Sequence, residues 1–186
     1  MPAIPETLRL RPRLRKSLLF LHIVSGVGWM GTDIALAILV FGALRSDDAE
    51  RVAASYLATA YIGVIAVPVL AVMMTLTGIA LAIGSSLGLL KYWWVLVKLV
   101  PSLGLCVLVY LALLPELRTL PGTVEMGASA DEVRDGVGAA TTGLLFPPVV
   151  SFTMMAIASL LSIFKPWGKT PWTPSSRRSP RRAATT

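Results

Sequence analysis

Four stretches of the chain carry almost no charge: Ser17 to Leu44, Tyr56 to Ile83, Tyr92 to Leu114 and Gly143 to Phe164. Each exceeds the roughly 20 residues that a helix needs to cross a hydrocarbon core of about 30 Å. Around them the pattern turns abruptly to charged segments. The runs predict an all-α polytopic membrane protein, with transmembrane helices at about 17–44, 56–83, 92–114 and 143–164 in an up-down bundle. The apolar part of the first run is far longer than the 7–15 residues or so of a signal-peptide core, and no small-x-small cleavage site follows it. It is expected to stay as a span. Pro68 and Pro101 fall deep inside the second and third runs. Each removes a donor from the helical ladder and predicts a kink. Pro147 and Pro148 stand near the start of the fourth, where a missing N–H costs little.

Three ionisable residues interrupt the apolar pattern: His22 and Asp33 in the first run and Lys98 in the third. Such groups are costly at membrane depth and by default face the bundle interior. His22 and Asp33 are eleven residues apart. At 100° per residue that returns to within about 20° of the starting direction, so they share a helix face. Ser25, Gly26 and Trp29 lie on that face between them, giving a polar seam opposed by Leu, Ile and Val. Small residues at Gly26, Gly28 and Gly31 allow a neighbouring helix to approach closely. His22 lies about 8 Å into the first span and Lys98 about 10 Å into the third, so they share a level, whereas Asp33 is roughly 15 Å further along. Lys98 has two readings: a side chain snorkelling to the headgroups, or part of a site with His22. His22 likewise reads as a hydrogen-bonded packing group, or as a ligand or proton-handling group.

Composition agrees with the pattern: 186 residues, 55% hydrophobic and only 15% charged, where a soluble domain carries roughly a quarter charged. The net charge of +7 is an orientation signal and does not indicate a nucleic-acid partner, because of where it sits. Arg9, Arg11, Arg13, Arg15 and Lys16 precede the first span. Lys165, Lys169, Arg177, Arg178, Arg181 and Arg182 follow the last, and Lys91 joins the second and third. The opposite loops hold only Arg45, Arg51, Arg118 and Arg134 as cations, and are rich in acid: Asp47, Asp48, Glu50, Glu116, Glu125, Asp131, Glu132 and Asp135. Basic flanks stay cytoplasmic, so both termini are expected inside a bacterial inner membrane, with the acidic loops outside. The basic tails, 1–16 and 165–186, are also drawn to anionic lipid headgroups. The second tail, rich in Pro, Ser and Arg, is expected to be disordered after about Gly168, with Trp167 and Trp172 as interfacial anchors. In the long outer loop, Ser129 with Glu132 three residues on signals a short capped helix.

The candidate chemistry is sparse. Cys106 stands alone, without a disulfide partner or zinc spacing. Met73 and Met74 in the second run and Met154 and Met155 in the fourth fall near mid-membrane. Thioethers suit Cu(I), and methionine also serves as a filler of irregular gaps. The chain has no Gly-rich phosphate loop, nucleophile elbow, HExxH motif or second histidine, so a site needing two imidazoles requires a homo-oligomer or a membrane partner.

The segments "LHIVSGVGWMG", "YWWVLVKLV" and "LSIFKPWG" resemble a group of uncharacterised actinobacterial integral membrane proteins, a domain of unknown function, over about residues 17–168. More distantly, the "LH…W.G" start and the W-x-x-x-K of Trp94 and Lys98 are similar to the HemJ-type four-helix membrane protoporphyrinogen oxidases and to the CopD-like copper-resistance membrane domain. The HemJ-type resemblance implies haem b as cofactor. It makes His22 the iron ligand or catalytic histidine, with Trp94 packing on the ring and Lys98 meeting a propionate. It also implies that any enzyme here is a haem-dependent oxidoreductase. With that resemblance, three readings stay open: a haem or porphyrin binder through His22, as the resemblance implies, a non-catalytic structural or partner-binding subunit whose seam is hydrogen-bonded glue, and copper handling through the Met pairs.

Overall fold

In the computed structural model of the chain, residues 10–84, 92–138, 143–164, 167, 168 and 170 are described. Lys91 and the basic segments 1–9 and 171–186, with Trp172 and the expected C-terminal disorder, lie outside the described residues. Helix α1, Pro12–Arg45, begins on a proline in its first turn, and its end is marked by the Ser46 N–H donating to the Gly42 carbonyl. Helix α2, Ala49–Gly84, starts where Asp48 Oδ1 accepts the N–H groups of Glu50 and Arg51, at 3.1 and 3.4 Å. Both helices overrun their apolar runs. The flanking sequences "PRLRK" and "AERVAAS" are good helix formers, so intrinsic preference and a cap carry each helix past the hydrophobic boundary.

Helix α3, Trp93–Leu108, runs on through a π-helical segment, Val109–Leu113, into α4, Leu114–Thr119, and a 3₁₀ turn, Leu120–Thr123. The π segment has a local cause. Pro115 has no N–H for the carbonyl one turn before it, and the ladder widens there, with the Leu114 N–H reaching back to the Val109 carbonyl. After the loop, α5, Ala130–Val137, begins on a complete capping box: Ser129 Oγ accepts the Glu132 N–H, and the Glu132 carboxylate accepts the Ser129 N–H at 2.7 Å. Helix α6, Phe146–Phe164, carries Pro147 and Pro148 in its first turn.

Among the described residues, four helical rods, Pro12–Arg45, Ala49–Gly84, Trp93–Thr123 and Phe146–Phe164, are each long and apolar enough to cross a membrane. Their outward sides present Phe20, Val27, Ile38, Ile65, Val100, Leu111 and Ile163, all exposed. Such a surface is stable only against hydrocarbon.

The two ends of the bundle are built differently. At the end holding α5, Val40, Ala43, Val52, Tyr56, Leu117 and Val133 pack into a continuous core. Arg134 ties α5 over it: Nε donates to the Ala43 carbonyl at 3.1 Å, Nη2 donates to the Ser46 carbonyl, and Nη1 pairs with Asp131 at 2.7 Å. These are carbonyls that the C-terminus of α1 leaves without helical donors, at the negative end of its dipole. The opposite end, where the chain enters at α1 and leaves at α6, is loosely filled and contains the cavities described next.

Candidate functional site

His22 leans onto α2. Its Nδ1 lies 3.0 Å from the Met74 carbonyl and 3.1 Å from Thr77 Oγ1. A carbonyl only accepts, so Nδ1 carries the hydrogen and the neutral ring keeps its lone pair on Nε2. Thr77 fits the same assignment, because its hydroxyl hydrogen is directed to the Met73 carbonyl at 2.6 Å. Gly78 makes room for the ring: a Cβ there would come within 3.1 Å of His22 Cε1. One turn along α1, the Met74 thioether lies beside Gly26, and Gly28 makes room for Leu70, which a Cβ there would meet at 3.3 Å. Gly31 has open space beside it. Close approach of α1 to α2 therefore rests on Gly28 and Gly78, since a Cβ at Gly26 would make only ordinary van der Waals contact with Met74.

A cavity of about 350 Å³ opens beside the imidazole, lined by Arg15, His22, Met74, Thr75, Trp94, Lys98, Met155 and Ser162 among others. Trp94 is buried, and Lys98 Nζ sits 4.5 Å from its ring centroid while donating to Ser162 Oγ of α6 at 2.7 Å. Lys98 thus faces inward, held by an aromatic ring and a hydroxyl. Thr75 Oγ1, also on the lining, is buried with no hydrogen-bond partner among the described residues. An orphaned buried hydroxyl costs about 1–3 kcal/mol, and a ligand oxygen in the cavity would satisfy it.

The structure brings His22, Trp94 and Lys98 to one cavity and keeps Asp33 apart from it. Asp33 is buried and accepts from Ser151 Oγ of α6 at 2.6 Å. Ser25 is buried and donates to the Leu21 carbonyl at 2.7 Å. Trp29 is buried one turn before Asp33, and its Nε1–H lies beside the Asp33 carboxylate, short of strict hydrogen-bond geometry with any acceptor among the described residues. Trp29 lines a second cavity, of about 230 Å³, between α3 and α6. Of the methionines, Met74 and Met155 line both cavities, Met154 the second alone, and Met73 neither. Among the described residues no three His, Cys, Asp or Glu side chains cluster as a metal site.

Sequence reasoning missed the partners: Thr77 and Gly78 for His22, Ser151 for Asp33, Ser162 for Lys98, and the orphaned Thr75. One signal was present, since "TLTG" at Thr75–Gly78 is a polar and small patch in an otherwise apolar helix.

A family model described as "Predicted integral membrane protein (DUF2269)" matches residues 16–166. No curated protein and no solved structure matches the chain.

Proposed function

We propose that this chain, which belongs to the DUF2269 family of integral membrane proteins, binds a haem or porphyrin in the cavity beside His22. One observation carries the reading: the Met74 carbonyl, 3.0 Å from Nδ1, fixes the tautomer that leaves Nε2 as the ligating nitrogen. A ligating histidine typically has its other ring nitrogen tied to a carbonyl or carboxylate in this way. The lining suits the rest of such a molecule. Arg15 and Lys98 supply two cations for its carboxylates, Trp94 offers an aromatic face, and Thr75 has a hydroxyl without a partner among the described residues. The volume, about 350 Å³, lies in the range of small-molecule and cofactor sites. Bound there, haem would supply one-electron chemistry whose potential follows from its axial ligand and burial. The chain's own part is to orient His22 through Met74 and Thr77 and to hold Lys98 on Trp94 and Ser162.

The test is an optical titration of the purified protein with haem, alongside a spectrum of protein taken from its native membrane. A Soret band is expected, lost in His22→Ala, with helicity by circular dichroism unchanged. Lys98→Ala should weaken binding about 10- to 100-fold, the equivalent of a charged hydrogen bond of about 1.5–3 kcal/mol. A colourless protein that takes up no added haem overturns the reading. Replacing Met73, Met74, Met154 and Met155 by Leu separates it from copper handling, which predicts copper sensitivity in that variant and in a deletion.

The far half of the seam has a different role. The Asp33–Ser151 hydrogen bond joins α1 to α6 at 2.6 Å, and neither residue lines either of the two cavities, which favours interhelical glue there.

A further inference from the structure

The second cavity is not explained by a ligand on His22. Its floor is Trp29 and its sides are α3 and α6. Three of its lining residues also lie on the outer surface of the bundle: Val97, Met154 and Ile157 are 40%, 39% and 45% exposed. A cavity walled by the residues that face hydrocarbon opens sideways, into the membrane. Its inner end meets the first cavity, because Met74, Lys98, Ser102, Met155 and Ala158 line both. The two cavities are therefore neighbours, separated by side chains alone, and a route from the flank of the bundle to the imidazole needs only those side chains to move. Its polarity changes along the way, from Arg15, Lys98 and Ser162 at the tail end to Leu105, Met154 and Ile157 deeper in the span.

We infer that the slot between α3 and α6 is a lateral portal occupied by an acyl chain of a bilayer phospholipid, and that ligand reaches the His22 cavity from the membrane phase. A slot facing hydrocarbon and lined chiefly by Val, Leu, Ile, Met and Pro offers water too few partners to fill it, whereas an acyl chain matches the lining. The occupancy of the slot stands by itself. The consequence for ligand class, a bilayer-dissolved amphiphile with an anionic end for Arg15 and Lys98, rests on the reading of the first cavity as a ligand site.

Trp29 is 2% exposed and serves as the reporter. A full-length variant keeping Trp29 alone (Trp93, Trp94, Trp167 and Trp172→Phe) is reconstituted into vesicles of phosphatidylcholine with brominated acyl chains. A second variant keeping only Trp93, which is 42% exposed, is the surface control. Trp29 should be quenched despite its burial. Leu105→Phe, which fills the deep end of the slot, or Ile157→Phe, which fills its lip, should reduce that quenching severalfold and leave Trp93 unchanged. If Trp29 stays bright where Trp93 is quenched, or if neither filling substitution alters it, the portal is overturned. Two fillings guard against one of them failing to fold. The link to the ligand is read as the rate of haem transfer from haem-loaded vesicles into protein with all its tryptophans. The filled variants should be at least about tenfold slower with the same final Soret band. Unchanged transfer alongside lost quenching would overturn the portal and leave a lipid slot. Absence of any Soret band bears on the haem reading alone.

Discussion

At the scale of single residues, the buried polar groups divide into those that have partners and those that wait for one. Asp33 and Ser151 form a closed pair at 2.6 Å, and removing one member leaves the other stranded. Ser151→Ala should therefore cost about 1–3 kcal/mol, the penalty of an unsatisfied buried group. Asp33→Leu combined with Ser151→Ala should recover most of that loss, because an apolar pair strands nothing. Thermal unfolding of the four proteins in detergent gives the coupling directly, and strict additivity would mean that the two side chains do not act as a pair. The candidate site was legible in part. That His22 and Asp33 share a face follows from helical periodicity alone, and W-x-x-x-K places Trp94 and Lys98 one turn apart. Their partners could not be read, because which residue of α2 or α6 meets a given residue of α1 depends on the rotation and depth of packed helices. The carbonyl that sets the His22 tautomer belongs to Met74, and a backbone group leaves no mark in a sequence.

At the scale of elements, apolar runs located the rods, and local chemistry set their ends and irregularities. The capping box of α5 was readable because S-x-x-E is a contiguous signal. The π segment at Val109–Leu113 was not, although Pro115 beside it is the cause. Two consequences belong here. The Ser129 N–H and hydroxyl, both bonded to the Glu132 carboxylate, hold it below its ordinary pKa. A depressed folded value means that the box contributes fully above the ordinary pKa of about 4.3 and is lost as pH falls through the lower, folded value. Amide protection factors across α5, which allow for the slower intrinsic exchange in acid, should fall as the pH drops, and in Glu132→Gln that fall should flatten. Arg134 acts over a longer range, since its guanidinium reaches two carbonyls of the α1 terminus and Asp131 at once. Arg134→Ala should lower stability by about 1.5–3 kcal/mol. Arg134→Lys should recover little, because an ammonium cannot reproduce the fork. A lysine variant that melts with the parent would show that charge alone is needed.

At the scale of the whole molecule, the asymmetry of packing matches the asymmetry of charge. The end closed by α5 is a filled core under an acidic loop, and the end where α1 begins and α6 finishes is hollow and basic. An open half beneath basic segments suits a ligand with an anionic end, and a rigid half opposite supplies the frame that keeps four lipid-facing rods in register. The orientation of this frame decides which compartment the cavity serves. Lys and Arg near span ends remain on the cytoplasmic side, and Arg11, Arg13, Arg15 and Lys16 cluster at the start of α1 while Asp47, Asp48 and Glu50 sit at its far end. The hollow half is therefore expected in the cytoplasmic leaflet. Alkaline phosphatase, active only when exported, should be inactive when fused at either terminus and active when inserted at Gly127, a positive-φ turn beyond the third rod. Reversal at one end would break the four-span topology. Reversal at both would turn the cavity, with His22 and Lys98, to the outer leaflet and to ligands of the periplasmic side. Replacing Arg11, Arg13, Arg15 and Lys16 by glutamine sharpens the test, because weakening of the phosphatase pattern would show that these side chains set the orientation.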